Sequence, residues 1–137
     1  MKLRLQIVVP LLFVAGCLAV AIPNVYTTMQ RSRQKRTMAD LRTWVEDIEA
    51  YMTKHGTAPR RGYAGPIAGI APLVASKAPA TDAWGHPFLY HASANHYSIR
   101  STGRDGKNDH LVSGKGKSFD DDILFADGIF QRYVGGF

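Results

Sequence analysis

LQIVVPLLFVAGCLAVAI, residues 5–22, is an unbroken apolar run in which Gln6 is the one strongly polar side chain. PNVYTTMQRSRQKRTMADLRTWVEDIEAYMTKH, residues 23–55, continues it as a charged segment that ends before Gly56. As an α-helix, the apolar run would span roughly 27 Å, near the lower limit for crossing a bilayer. We therefore predict one long α-helix whose first part lies in a membrane and whose last part carries a small domain.

The end of this segment has the spacing of an amphipathic helix. Five apolar residues, here called the apolar stripe, recur at intervals of three and four positions: Met38, Leu41, Val45, Ile48 and Met52. This period places them on one helix face, which we expect a sheet to cover. Gly56 is a typical helix end, and the basic residues Lys54 and His55 suit the negative end of the helix dipole. Pro10 and Pro23 are tolerated in membrane helices, usually as kinks.

The positive charge of the chain is concentrated just after the apolar run. The 137 residues carry a formal net charge of +6, and Arg31, Arg33, Lys35 and Arg36 form a basic cluster. We interpret the cluster as a solvated helix face beside lipid headgroups. Contact with anionic lipids, or with acidic groups of a neighbouring copy, is the alternative. Aromatic and glycine residues do not interleave the basic ones, so nucleic acid is not an expected partner.

The single cysteine, Cys17, excludes an intrachain disulfide. Residues 14–17, Val-Ala-Gly-Cys, resemble a bacterial lipobox, which makes Cys17 a candidate lipidation site. Residues 19–21, Ala-Val-Ala, are similar to a secretory cleavage site. Both interpretations compete with an uncleaved anchor, which is favoured because the apolar run continues past both sites.

After the helix, the composition changes to glycine, proline and alanine. We predict a connecting loop over residues 57–86, with a helical turn near residues 70–76 where Leu73 and Val74 pack inward. Four short runs then predict strands: residues 88–91, 97–100, 123–125 and 129–134.

The predicted fold class is α+β, with a long N-terminal helix packed against a small C-terminal antiparallel sheet. Residues 1–29 form the membrane or filament-core part of the helix, and residues 30–137 form the globular domain. That domain consists of helix 30–55, loop 57–86, and a sheet with its long loop over residues 87–137.

Residues 102–122, here called the acidic loop, are too many for a simple turn between strands. They hold five of the eleven acidic residues of the chain: Asp105, Asp109, Asp120, Asp121 and Asp122. Calcium takes about six to eight oxygen ligands from carboxylates and carbonyls, and an ion would relieve the repulsion between clustered acids. The alternatives are a solvated loop whose aspartates cap turns, or neutralisation by Lys107, Lys115 and Lys117.

An enzymatic function is not predicted. No serine or cysteine lies in a recognisable nucleophile motif, and the five histidines are scattered along the chain. His91 and His96, five positions apart, leave a zinc site as a minor alternative.

Several stretches together resemble the type IV pilin and pseudopilin family. In the helix these are Ala-Ile-Pro-Asn at 21–24, the basic cluster, Thr-Met-Ala-Asp-Leu-Arg at 37–42 and Ile-Glu-Ala-Tyr at 48–51. Thr-Asp-Ala-Trp-Gly-His-Pro-Phe at 81–88 is similar to the Asp-x-Trp-Gly-x-Pro segment of the major pseudopilin of type II secretion systems. Tyr-Ser-Ile-Arg-Ser-Thr-Gly-Arg-Asp-Gly at 97–106 and Asp-Asp-Ile at 121–123 resemble two further motifs of that family.

The resemblance implies a pilin-like fold and a structural subunit of a type II secretion pseudopilus or a related type IV pilus-like fibre. The expected partners are further copies, other pseudopilins, the inner-membrane assembly platform and membrane lipid. The expected location is the bacterial inner membrane, crossed once, with the C-terminal domain in the periplasm or in the fibre. The alternative is a membrane- or lipid-anchored periplasmic binding domain that does not polymerise.

The resemblance also implies calcium in the acidic loop. Asp105 and Asp122 correspond to side-chain ligands, and Asp121 is a close candidate. Carbonyl groups near Thr102 and Lys107 would complete the ligand shell.

In its assembly and processing residues the sequence differs from that family. Family members carry a glycine before the apolar run, where a prepilin peptidase cuts, and a glutamate at the fifth mature position. Here the first glycine is Gly16, and aligning the helix prolines, Pro23 among them, puts Gln6 in place of the glutamate. A neutral amide cannot replace a carboxylate in a buried ion pair. We therefore expect a chain that is not processed in the usual way and that polymerises poorly alone.

Overall fold

The computed structural model describes residues 2–109 and 114–134. Helix α1 (Lys2–His55) includes both Pro10 and Pro23, which confirms the prediction of one long helix. The helix is followed directly by Gly56, which has a φ of +74° and donates its N–H to the Met52 carbonyl at 2.7 Å. This left-handed helix end suits glycine because glycine has no Cβ to clash.

The chain divides into two compact units, Met1–Ser32 and Arg33–Phe137. In the first unit, the apolar side chains of α1 are exposed, with Leu12 at 67% and Phe13 at 73%. By its length and composition, the helix is long enough and apolar enough to cross a membrane. The first unit therefore fits a membrane anchor.

The second unit contains a six-stranded sheet. Its strands are β1 (Ala64–Pro66), β2 (Leu89–Ala92), β3 (Tyr97–Ser101), β4 (Gly114–Gly116), β5 (Ile123–Ala126) and β6 (Ile129–Val134). They lie in the order β1-β2-β3-β5-β6-β4, and all neighbours are antiparallel except β4 and β6, which are parallel. The four predicted strands and the α+β class are confirmed, whereas β1 and β4 are additional.

The segment between α1 and β2 has more structure than a connecting loop. After β1 come a 3-10 helix (Ile67–Gly69) and the one-turn helix α2 (Ala71–Val74). The predicted helical turn is confirmed, but the expectation that Leu73 packs inward is wrong, because its side chain is 48% exposed. Successive residues on a helix point about 100° apart, so one turn directs Val74 to the core and Leu73 to solvent.

The core of the second unit is built from α1 and the sheet. Leu41, Trp44 and Ile48 of α1 are fully buried, and Met38 and Met52 pack at the margin. The sheet and the connecting segment contribute Ile67, Ile70, Phe88, Tyr90, Ile99, Ile123 and Phe125. The prediction that a sheet covers the apolar stripe is therefore confirmed.

Candidate functional site: the acidic loop and its arginine partners

A turn before β2 supports one side of the acidic loop. Asp82 is buried, and its Oδ1 accepts the backbone N–H groups of Trp84 at 3.0 Å and His86 at 2.9 Å. Its Oδ2 accepts the hydroxyl of Ser101, the last residue of β3, at 2.7 Å. The hydroxyl of Thr37 on α1 accepts the N–H of Ala83 at 3.1 Å. The turn is thereby joined both to the helix and to the strand that enters the acidic loop.

The start of the acidic loop packs tightly against this turn. His86 Nδ1 forms a hydrogen bond of 2.9 Å with the Gly103 carbonyl oxygen. Gly103 has a φ of +66°, and a Cβ there would lie 2.5 Å from the carbonyl oxygen of Asp120. Gly106 has a φ of +70°, and a Cβ there would lie 2.7 Å from His86 Nε2. Both positions therefore require glycine for their backbone conformation and for the close approach.

Asp122, a predicted calcium ligand, is fully buried at the end of the loop. Its Oδ2 accepts hydrogen bonds from Arg100 Nη1 at 2.7 Å and from the N–H of Asp109 at 3.1 Å. Its Oδ1 has no hydrogen-bond partner among the described residues. Burial raises the pKa of Asp122, although the Arg100 guanidinium opposes the shift.

Asp121 is held by backbone groups and by a second arginine. Its Oδ2 accepts the N–H groups of Lys117 and Ser118, and its Oδ1 lies 3.4 Å from Arg132 Nη2. The same nitrogen lies 3.9 Å from Asp109 Oδ2. Burial opposes ionisation of Asp121, but the two N–H groups and Arg132 outweigh it, so the pKa lies below its ordinary value.

Asp120 and Asp105 lie nearer to solvent. Arg104 binds Asp120 through two nitrogens, each at 2.7 Å, and this hydrogen bonding lowers the pKa of Asp120. Asp105 is exposed, and its Oδ1 accepts the N–H of Lys107 at 3.0 Å, as a turn cap does. Thr102, whose carbonyl was predicted to bind calcium, is buried beside Ser101.

Asp109 thus contacts Asp122 through its backbone N–H and shares Arg132 with Asp121, whereas Asp105 caps its own turn. Among the described residues, no three or more His, Cys, Asp or Glu side chains are arranged to hold a metal ion. In the described part of the chain, the arginine partners of these aspartates are Arg100, Arg104 and Arg132, and the sequence did not predict them.

Strand register explains how Arg100 reaches Asp122. Arg100 on β3 and Arg132 on β6 both face Leu124 of β5 in the register. Cross-strand neighbours share one face of a sheet, and Asp122 lies two positions before Leu124. The alternation of Arg100 with the apolar Ile99 in β3 was the one sequence feature that could have indicated this face.

The predicted assembly and lipidation residues lie on the apolar part of α1. Gln6 and Pro23 are exposed helical residues, and Cys17 is an exposed free thiol. Thr27 donates its hydroxyl to the Pro23 carbonyl at 3.0 Å.

A family model described as type II secretion system (T2SS), protein G, matches residues 24–120. The matched range includes the second part of α1, the turn around Asp82 and the acidic loop up to Asp120. No match was found among curated proteins or among solved structures.

Proposed function

The chain belongs to the type II secretion system protein G family, the major pseudopilins, and on this premise we propose that it is a structural subunit of a pseudopilus or of a related type IV pilus-like fibre. The observation that carries the proposal is the exposed apolar surface of α1 before the globular domain. Ile7, Leu11 and Leu18 are each more than half exposed there.

Such a surface requires an apolar environment. A helix that is hydrophobic on all sides is covered either by lipid or by other helices. In the proposed function, α1 lies in the inner membrane before assembly and beside the α1 helices of neighbouring subunits afterwards. The globular domain is then in the periplasm, and its partners are other copies, other pseudopilins and the assembly platform. The family is a structural one, and the proposal gives the acidic loop no catalytic role.

Cys17 provides a direct test of this assembly. In membranes of cells that also express the secretion machinery, a membrane-permeable bismaleimide is expected to link Cys17 of one copy to Cys17 of another. A Cys17→Ser chain is the matched control and should give no linked product. A chain that stays monomeric under these conditions would favour the alternative, an anchored binding domain. A thioether-linked lipid on Cys17, measured by mass spectrometry, would establish the lipid-anchored form of that alternative.

We further propose that calcium, when present, is held at the inner end of the acidic loop. The support is the buried Oδ1 of Asp122, which lacks a hydrogen-bond donor among the described residues, together with a second carboxylate on the preceding residue, Asp121. Asp105 and the carbonyls of Thr102 and Lys107 are the further proposed ligands. Buried carboxylate oxygens without a donor are costly, and a cation would remove that cost.

Chelation tests the calcium proposal. Removing calcium is expected to lower the Tm of the full chain by at least about 5 °C when the ion was near saturation. Asp122→Ala should abolish this response, and Asp40→Ala, which removes an acid of α1 outside the loop, should retain it. An unchanged Tm of the wild-type chain on chelation would remove calcium from the proposed function.

A further inference from the structure

The described part of the globular unit exposes few large apolar side chains. Beyond residue 32 these are Leu73 at 48%, Ile129 at 59% and Tyr133 at 41%. Leu73 lines a groove with Val74 and with Asp47, Tyr51 and Lys54 of α1. Ile129 lines a second groove with Phe130 and with Arg42 and Glu46 of α1. Tyr133 adjoins the second groove, because its ring lies 6.1 Å from that of Phe130.

These grooves lie on opposite flanks of α1. At 100° per residue, positions seven apart fall close to one line along the helix. Leu41 and Ile48 mark the buried line. Arg42 and Glu49 define a line about 100° to one side, here called the β6 flank. Asp47 and Lys54 define a line about 100° to the other side, here called the α2 flank.

Arg42 and Glu49 are held in place on the β6 flank. The Arg42 guanidinium lies 5.3 Å from the centre of the Phe130 ring, and Glu49 Oε1 accepts the Tyr97 hydroxyl at 3.0 Å. Both side chains are nevertheless exposed, as is Lys54 on the α2 flank, whereas Asp47 is half-buried and lines the groove beside Leu73. Within the described residues, none of the four charged side chains of the two flanks forms a salt bridge; these are Arg42, Glu49, Asp47 and Lys54. Their charges are therefore available to another molecule.

The two flanks have complementary charge patterns of equal length. Along the chain, the β6 flank is positive at Arg42 and then negative at Glu49. The α2 flank is negative at Asp47 and then positive at Lys54. Each pair is separated by seven residues, about 10.5 Å along the helix. A parallel neighbour displaced by five residues, about 7.5 Å, therefore places each charge opposite its counterpart.

Other arrangements of two copies are disfavoured. If the β6 flank of one copy met the α2 flank of another with the two helices antiparallel, like charges would face each other. When the same flank of two copies meets, opposite charges face each other only if the two helices are antiparallel. Copies that are anchored in one membrane in one orientation cannot adopt that arrangement. The parallel contact uses different surfaces on the two copies, so it repeats without closing and produces a filament.

We infer that the β6 flank of one copy binds the α2 flank of the next copy, with Arg42 facing Asp47, Glu49 facing Lys54, and Ile129 packing against Leu73. This inference rests on the proposed fibre function and specifies which surfaces of the globular unit meet. The occupant of both grooves is a second copy of this chain, because each flank carries the pattern that the other requires. The contact covers Leu73 and Ile129, the two most exposed large apolar residues in this part of the structure.

Crosslinking between differently tagged copies tests the inference. One copy carries Leu73→Cys, the other carries Ile129→Cys, and both carry Cys17→Ser, in membranes with the secretion machinery. A short bismaleimide is expected to give the mixed 73–129 product, with little 73–73 or 129–129 product. Equal amounts of the three products, or no mixed product, would overturn the inference.

Charge exchange tests the register in the same assay. Arg42→Glu alone is expected to lower the yield of the mixed product at least about fivefold, because two negative groups then face each other. Arg42→Glu combined with Asp47→Arg should restore the yield, which also shows that the variants fold. Arg61→Glu, the same reversal at an exposed arginine outside both flanks, should leave the yield unchanged. A yield that Arg42→Glu leaves unaltered would contradict the register.

The Cys17 crosslink separates failure of this inference from failure of the proposed function. Chains that link through Cys17 but not between positions 73 and 129 would form a fibre through other surfaces, and the inference alone would be wrong. Chains that link through neither pair would contradict both the fibre and its contact surfaces.

Discussion

Replacing Trp44 with alanine is expected to lower the free energy of unfolding of the globular unit by about 3–5 kcal/mol. Trp44 is fully buried among the core residues contributed by α1 and the sheet. Its Nε1–H donates to the Pro79 carbonyl at 2.8 Å, so alanine would leave a cavity and also an acceptor without its donor. The loss is large relative to the 5–15 kcal/mol that typically stabilises a small domain.

The measurement is denaturant unfolding of the full chain in detergent, followed by near-ultraviolet circular dichroism. Trp44→Phe is the matched control, because phenylalanine fills much of the volume and loses mainly the hydrogen bond. It should therefore cost clearly less than alanine. A loss below about 1 kcal/mol for Trp44→Ala would mean that Trp44 isn't at the centre of the core.

Replacing Asp122 with alanine is expected to cost about 3–5 kcal/mol, because it leaves a largely buried guanidinium without its carboxylate. The Arg100 side chain is only 17% exposed, and its Nη1 lies 2.7 Å from Asp122 Oδ2. Its second acceptor, Asn108 Oδ1 at 3.1 Å, is a neutral amide and cannot compensate the charge.

A double-mutant cycle measures this pair. Arg100→Met should also destabilise the domain, because it leaves Asp122 buried without a cation. The double variant, Asp122→Ala with Arg100→Met, should cost less than the two single losses added together. The cycle is run with chelator present, so that any calcium contribution is absent from all four chains. Additive losses would show that the two groups do not interact in solution.

The helical part of the fold could be predicted because its apolar residues extend over many positions with an unambiguous spacing. The apolar run and the apolar stripe specify one helix and its buried face, and Gly56 specifies its end. Strands β2, β3, β5 and β6 are each four to six residues long. Their aromatic and β-branched residues were enough to recognise them as strands. The turn motif around Asp82 was recognised as a motif, although its hydrogen bonds to Ser101 and Thr37 were not.

The additional strands could not be predicted in the same way. β1 is Ala-Gly-Pro and β4 is Gly-Lys-Gly, and neither has side chains of high strand propensity. Their pairing depends on tertiary position, and β4 joins β6 in parallel from within the acidic loop. The exposure of Leu73 likewise depends on which way a single helical turn is rotated.

Arg104 binds Asp120 from within the acidic loop, but the other two arginines reach the loop from strands, whose register the sequence alone does not specify. The three lysines within the loop were the natural candidates because they are close in sequence. Arg132 lies beyond the loop on β6, opposite Leu124 of β5, and its Nη2 lies 3.4 Å from Asp121 Oδ1. Calcium binding by the same loop remains a prediction.

Cryo-electron microscopy of material sheared from membranes that express this chain with the secretion machinery tests the fibre most directly. The predicted result is a helical filament with residues 6–29 of every α1 parallel at its centre and the β6 and α2 flanks in contact around it. Particles that are uniformly single copies, each with its apolar helix covered by detergent or lipid, would contradict the fibre.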